Sequence, residues 1–120
     1  MPELPEVETV RRTLAPHLTG RTVEAFDLRW QRTLQTPELS AFVAATEGRT
    51  ILEVNRRGKL VVLRLDDESV ITVHLRMTGE LLFVVDLTIP RDEGRERYLR
   101  AIFTLSENSG LVFYDTRKFG

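Results

Sequence analysis

The apolar positions Val7, Val10, Leu14 and Leu18 recur at steps of three and four residues, the period that lines up one face of an α-helix. Pro5 suits a first helical turn, where its missing N–H is not needed, and Pro16 and Gly20 mark the expected end. Leu4 precedes a proline and is biased toward extended backbone, which leaves Pro2 and Glu3 just ahead of the helix. Glu6 and Glu8 fall in the first turn, where carboxylates favour the positive end of the helix dipole. Val23, Ala25, Phe26 and Leu28 predict a strand, the polar stretch from Trp30 to Pro37 a loop, and Leu39, Phe42 and Val43 a second, short helix closed by Gly48.

After Gly48 the period changes. Ile51 to Val54, Lys59 to Leu65, Val70 to Leu75, Glu80 to Val85, Tyr98 to Leu105 and Leu111 to Tyr114 are short β-rich runs. Turn signals at Asp66-Asp67, Thr78-Gly79 and Asn108-Ser109-Gly110 separate them, and Thr88 to Gly94, with Pro90 and its charges, reads as a surface loop. Strands at roughly ten-residue spacing predict an α+β fold: a two-layer antiparallel β-sandwich flanked by the N-terminal helix and the second short helix. No repeat or linker divides the chain, so residues 1–120 are expected to form one domain.

Composition narrows the chemistry. The chain has no cysteine, hence no disulfide and no thiolate site, and His17 and His74 lack ligand spacing, which argues against a metal or other cofactor within it. No apolar run reaches membrane-spanning length and the charged opening is unlike a signal peptide, so a cytoplasmic protein without a membrane partner is expected. Seventeen basic residues face 18 acidic ones, a balance that alone argues against a polyanion. The charges are nonetheless clustered: acids at Asp66-Asp67-Glu68 and Asp92-Glu93, bases at Arg11-Arg12, Arg56-Arg57-Lys59 and Arg117-Lys118. If the basic clusters meet on one face, they form a local phosphate-binding surface.

Four stretches carry candidate chemistry. Met1 is removable before a small second residue, and the exposed Pro2 nitrogen would then be a secondary amine able to act as base or nucleophile beside Glu3, Glu6 and Glu8. An acidic, proline-containing start is also what a loose terminus looks like. Asn55-Arg56-Arg57-Gly58-Lys59 opens an apolar strand and allows close backbone approach to a phosphate at Gly58, although charges at a strand start are often simply solvated. In His74-Leu75-Arg76-Met77-Thr78-Gly79, Met77 has the shape to slide into a base stack or to fill a core, and a histidine such as His74 is more often structural than catalytic. In Tyr114-Asp115-Thr116-Arg117-Lys118-Phe119-Gly120, Arg117 can bond a base edge and Phe119 can wedge between bases or fold back on the core.

Taken in order, Pro2-Glu3-Leu4-Pro5-Glu6-Val7-Glu8 running into a helix, the Arg-Gly-Lys stretch, the His-Leu-x-Met-x-Gly turn and the Arg-Lys-Phe-Gly end resemble the bacterial formamidopyrimidine-DNA glycosylase family over the whole chain. The resemblance implies the N-terminal catalytic domain of a base-excision-repair DNA glycosylase with AP lyase activity. Leu4, where the endonuclease VIII branch usually has glycine, implies oxidised purines such as 8-oxoguanine and formamidopyrimidines in double-stranded DNA. It gives Pro2 the role of nucleophile at C1′ with a Schiff base and β/δ-elimination to follow, Glu3 that of proton handling at the sugar, and Glu6 that of supporting carboxylate. Lys59 is implied as proton donor in elimination. Met77, Arg117 and Phe119 are implied to fill the space left by a flipped lesion, and His74, Tyr98 and Lys118 to complete the DNA-facing set. The resemblance also implies a helix-two-turn-helix region and a zinc finger beyond Gly120, so the chain is expected to be a monomeric fragment of low activity alone, with zinc only in that further region.

Thr116 stands where the family commonly has proline, Lys118 where it often has arginine, and Tyr98 where many members have a DNA-contacting histidine. Two other readings use the same residues: an N-terminal-proline tautomerase, whose chain would run from the proline straight into a strand, and a non-catalytic DNA-binding module.

Overall fold

The computed structural model describes residues 4–29, 33–34, 38–75, 78–89 and 93–115. Helix α1 (Leu4–Leu18) is followed by β1 (Val23–Leu28), α2 (Leu39–Thr46), β2 (Ile51–Arg57), β3 (Leu60–Leu65), β4 (Val70–His74) and β5 (Gly79–Val84). A one-turn helix α3 (Glu93–Glu96), β6 (Leu99–Leu105), a 3-10 turn (Ser106–Asn108) and β7 (Ser109–Asp115) complete the chain. Two antiparallel sheets result, one of four strands in the order β1-β6-β7-β5 and one of three in the order β2-β3-β4. The α+β sandwich, its N-terminal helix and its second short helix are therefore as the hydrophobic pattern predicts.

One core joins both sheets and α1. Val7, Leu14 and Leu18 of α1 are buried with Val54, Val61, Leu63, Leu65 and Ile71 of the smaller sheet and Leu81, Phe103, Leu105, Leu111 and Phe113 of the larger. β3 shows the expected period of two, with Val61, Leu63 and Leu65 buried and the residues between them only partly covered. Helix α2 seats Phe42 against Phe26 and Phe103, with ring centroids 4.8 and 6.0 Å away, tilted as aromatic quadrupoles favour.

All of β7 is buried, because it is covered on both faces. Its Leu111 and Phe113 face the sandwich core, while Val112 and Tyr114 join Leu99 and Ile102 in a second cluster covered by Val84, Leu87 and Tyr98. Gly110 makes this cover possible, since a Cβ there would lie 2.7–2.8 Å from the Leu87 side chain.

Several boundaries move from their expected positions. α1 runs through Pro16 to Leu18, and its last carbonyls find other donors: Thr19 Oγ1 on Ala15 and Arg21 Nε on His17, both at 2.7 Å. Ser109 and Gly110 belong to β7 rather than to the turn before it, and α3 lies where the sequence shows only a charged loop. Arg56 and Arg57 end β2 instead of opening a strand, and Gly58-Lys59 is the two-residue turn between Arg57 and its partner Leu60. Gly58, at φ +58°, takes the left-handed conformation that such a turn requires.

A candidate nucleic-acid interface at one end of the sandwich

Strand register gathers the candidate stretches at one end of the fold. The β2–β3 turn places Lys59 beside Leu60, and Leu60 pairs with His74, the last residue of β4. Only a few residues separate His74 from β5, because Gly79 N–H donates to the Leu75 carbonyl at 2.8 Å and closes a tight turn. Gly79 in turn pairs with Asp115, the last residue of β7. Tyr98 precedes β6 at the same end, where its carbonyl accepts the Asp115 N–H at 2.9 Å. Lys59, His74, Tyr98, the 75–79 turn and the end of β7 thus share one rim. Lys59 is exposed there, while His74 and Tyr98 are half-buried. The Arg97 guanidinium stacks over the Tyr98 ring at 4.9 Å.

The start of α1 comes to this same rim. Glu8 accepts hydrogen bonds from Arg11 and Arg12 of its own helix and from Arg56, one residue from the β2–β3 turn. The closest approaches are 2.6, 2.8 and 3.1 Å. Arg11 also reaches the Val54 carbonyl of β2 at 3.4 Å. At the other end of the helix, Gly20 N–H donates to Ile51 O at 2.7 Å, so α1 and β2 run antiparallel with the helix N-terminus toward the Lys59 turn. The Arg11 guanidinium, followed by those of Arg56 and Arg12, outweighs partial burial and holds the Glu8 carboxyl at about 2, well below the ordinary carboxylate range. Glu6 lies exposed in the same first turn.

Two of the basic clusters therefore do converge, Arg11-Arg12 with Arg56-Arg57-Lys59. The acidic cluster sits at the opposite end of β3, where Asp66 and Asp67 face Arg49 at 3.7 and 3.5 Å. Six strand residues separate the two ends by roughly 20 Å, about two and a half Debye lengths at physiological salt. A polyanion at the basic rim would hardly feel the acids, so a net charge of −1 is compatible with a locally basic end.

The buried rim residues are held by polar contacts. Asp115 is 1% exposed, and its Oδ1 accepts a hydrogen bond from Thr78 Oγ1. The buried Arg100 donates from Nε to the Asp115 carbonyl at 3.1 Å and from Nη1 to the Arg97 carbonyl at 3.3 Å. A Cβ at Gly79 would overlap the Leu75 carbonyl oxygen and lie 3.0 Å from Cε1 of Phe113, so the turn accepts only glycine there. Pro2, Glu3, Met77, Thr116, Arg117, Lys118 and Phe119 lie outside the described residues. Among the described residues no group of three or more His, Cys, Asp or Glu side chains is placed to hold a metal ion, and no helix is long and apolar enough to cross a membrane.

Three features were not visible in the sequence. The i,i+3 and i,i+4 spacing of Glu8, Arg11 and Arg12 shows their mutual pairing, but the link to Arg56 crosses 48 residues and has no local signal. Thr78–Asp115 and Arg100–Asp115 are likewise products of strand pairing.

Comparison with known proteins agrees with this geometry. Residues 1–120 match the family described as Formamidopyrimidine-DNA glycosylase N-terminal domain. A formamidopyrimidine-DNA glycosylase of Heliobacterium modesticaldum is 42% identical over 120 residues, covering all of this chain and 43% of that protein. One from Bacillus licheniformis is also 42% identical, over 121 residues, covering all of this chain and 42% of its own length. The chain thus spans less than half the length of these relatives. A crystal structure of the Lactococcus lactis enzyme in complex with DNA containing FAPY-dG superposes with a TM-score of 0.85 at 30% identity, over 98% of this chain and 42% of that one. The same enzyme with DNA containing an abasic site gives 0.86. Family match, sequence identity and fold agree over the whole length: the chain belongs to the formamidopyrimidine-DNA glycosylase family, as its N-terminal domain.

Proposed function

We propose that this domain is the catalytic half of a base-excision-repair glycosylase and AP lyase that removes oxidised purines, 8-oxoguanine and formamidopyrimidines, from double-stranded DNA. The observation that carries this reading is the shared rim. The start of α1, the Lys59 turn, the 75–79 turn and the end of β7 meet there, amid guanidinium groups suited to phosphates. The relatives' names and the DNA in the Lactococcus lactis complexes support it.

In this reading Pro2, freed of Met1, attacks C1′ of the damaged nucleoside. The base leaves and the sugar ring opens to a Schiff base. Ring opening creates an alkoxide, and Glu3 supplies its proton, a kind of help worth about 10²–10⁴-fold. The positive end of α1, which opens at Leu4, disfavours the protonated amine and so raises the nucleophilic fraction. The iminium acidifies the 2′ protons, and elimination follows with Lys59 as proton donor. Met77, Arg117 and Phe119 occupy the space of the flipped nucleotide, whose extrusion costs a few kcal/mol. Glu6 is a supporting carboxylate near the terminus, and His74, Tyr98 and Lys118 contact DNA. The domain acts as a monomer in the bacterial cytoplasm and needs no cofactor of its own, while a C-terminal region with helix-two-turn-helix and zinc-finger elements completes the grip on DNA.

Base release from a duplex bearing one 8-oxoguanine tests the proposal. The intact protein should release the base and nick the strand, favouring 8-oxoguanine over an oxidised pyrimidine, and residues 1–120 alone should turn over weakly or not at all. Equal activity on undamaged DNA, or none on either lesion, contradicts it.

A further inference from the structure

Arg56 lies near the end of β2, with only Arg57 between it and the Gly58-Lys59 turn. Its Nε donates to Oε1 of Glu8 on α1, and its Nη1 donates to the Gly58 carbonyl, both at 3.1 Å. That carbonyl belongs to the peptide that leads into Lys59. One planar guanidinium therefore joins α1 to the backbone of the Lys59 turn, a span that needs the fork of arginine rather than the single ammonium of lysine. The same Glu8 carboxylate holds Arg11, which reaches the Val54 carbonyl at 3.4 Å and so ties the helix to the body of β2 as well. Strand register sets Arg57 opposite Leu60, and Arg56 ties the exposed tip beyond that pair to the helix. The Glu8 and Arg56 side chains are only 25% and 32% exposed, and two of the three Arg56 nitrogens are engaged within the protein.

We infer that Arg56 is a positioning residue for Lys59, setting the Lys59 turn against α1 and so fixing where the lysine ammonium acts in elimination. This rests on the function proposed above, in which Lys59 is the proton donor and Arg56 supplies only charge. Arg56 touches none of the reacting atoms. It acts through the Gly58 carbonyl, so its effect belongs to the strand-cleavage step rather than to the affinity for DNA.

Arg56→Lys in the intact protein tests this, because lysine keeps the charge and can still pair with Glu8 but cannot hold the Gly58 carbonyl at the same time. On a duplex with a preformed abasic site, at saturating protein, single-turnover strand cleavage should slow by about two- to tenfold, the worth of one hydrogen bond. Affinity for a duplex carrying a tetrahydrofuran abasic analogue should change little, since the charge remains. In a Lys59→Met background the same substitution should slow cleavage no further, because its effect passes through Lys59. Equal slowing with and without Lys59 would show a merely structural role, and weaker binding with unchanged cleavage would make Arg56 a phosphate contact. Either result overturns the inference, as does no effect on cleavage. NMR relaxation without DNA gives a second readout independent of activity: in Arg56→Lys the order parameter of the Lys59 amide should fall while that of Val62 in β3 holds. An unchanged Lys59 amide overturns the positioning role. A wild-type protein that cleaves no abasic duplex refutes the proposed function instead, and the Lys59 amide then decides the positioning alone.

Discussion

Replacing Gly79 with alanine tests whether the 75–79 turn is held as tightly as its contacts imply. The added Cβ would overlap the Leu75 carbonyl oxygen and press on Cε1 of Phe113 at 3.0 Å. Neither neighbour can yield cheaply. The Leu75 oxygen is the acceptor that closes the turn at 2.8 Å, and Phe113 is buried in the core. Overpacking of this kind costs about 1–3 kcal/mol, and weakening the turn's hydrogen bond adds about 0.5–1.5 kcal/mol. At about 2.1 cal/mol/K of unfolding entropy per residue, a loss of about 1.5–4.5 kcal/mol lowers the Tm by roughly 6–18 °C. Gly58→Ala is the matched control. Its Cβ would meet nothing within 4 Å, so only the left-handed φ of +58° resists substitution, at about 1–2 kcal/mol or roughly 4–8 °C. Thermal unfolding followed by circular dichroism reads both. A Gly79→Ala protein no less stable than Gly58→Ala would refute the steric reasoning.

Other outcomes follow from the same contacts. Gly110→Ala should displace Leu87 and lower stability by about 1–3 kcal/mol, and Gly110→Ala with Leu87→Ala should cost less than the sum of the two, as a denaturant double-mutant cycle would reveal. Because the Glu8 carboxyl is lowered from 4.5 to about 2 in the folded protein, its stabilising contribution is complete above pH 4.5 and disappears as pH falls through about 2. Glu8→Gln should therefore lower the Tm near neutral pH and match wild type near pH 2, so a difference that stays constant between pH 7 and 2 would contradict the ion-pair hub. Lys59→Met should slow strand cleavage while leaving a borohydride-trappable adduct, separable on a denaturing gel.

Much of the fold is legible in local pattern because its determinants are local. The three- and four-residue steps of Val7, Val10, Leu14 and Leu18 mark α1, and the alternation of Val61, Leu63 and Leu65 marks β3. β6 and β7 are readable as strands, but not as strands buried on both faces, since Leu87, which helps to cover the second face, lies in a stretch with little pattern of its own. Lys59 stands out in the sequence, yet its place in a turn rather than a strand depends on the positive φ of Gly58 and on the register of Arg57 with Leu60. The meeting of Glu8 with Arg56, and of Thr78 with Asp115, arises from chain reversal and sheet pairing, which no spacing along the sequence encodes.

Borohydride reduction in the presence of an 8-oxoguanine duplex tests the central claim most directly. The intact protein with Met1 removed should yield a covalent protein–DNA adduct whose mass locates the link at residue 2, and Pro2→Gly should trap far less. Equal trapping by wild type and Pro2→Gly, or an adduct located elsewhere, would contradict the assignment of Pro2 as the nucleophile.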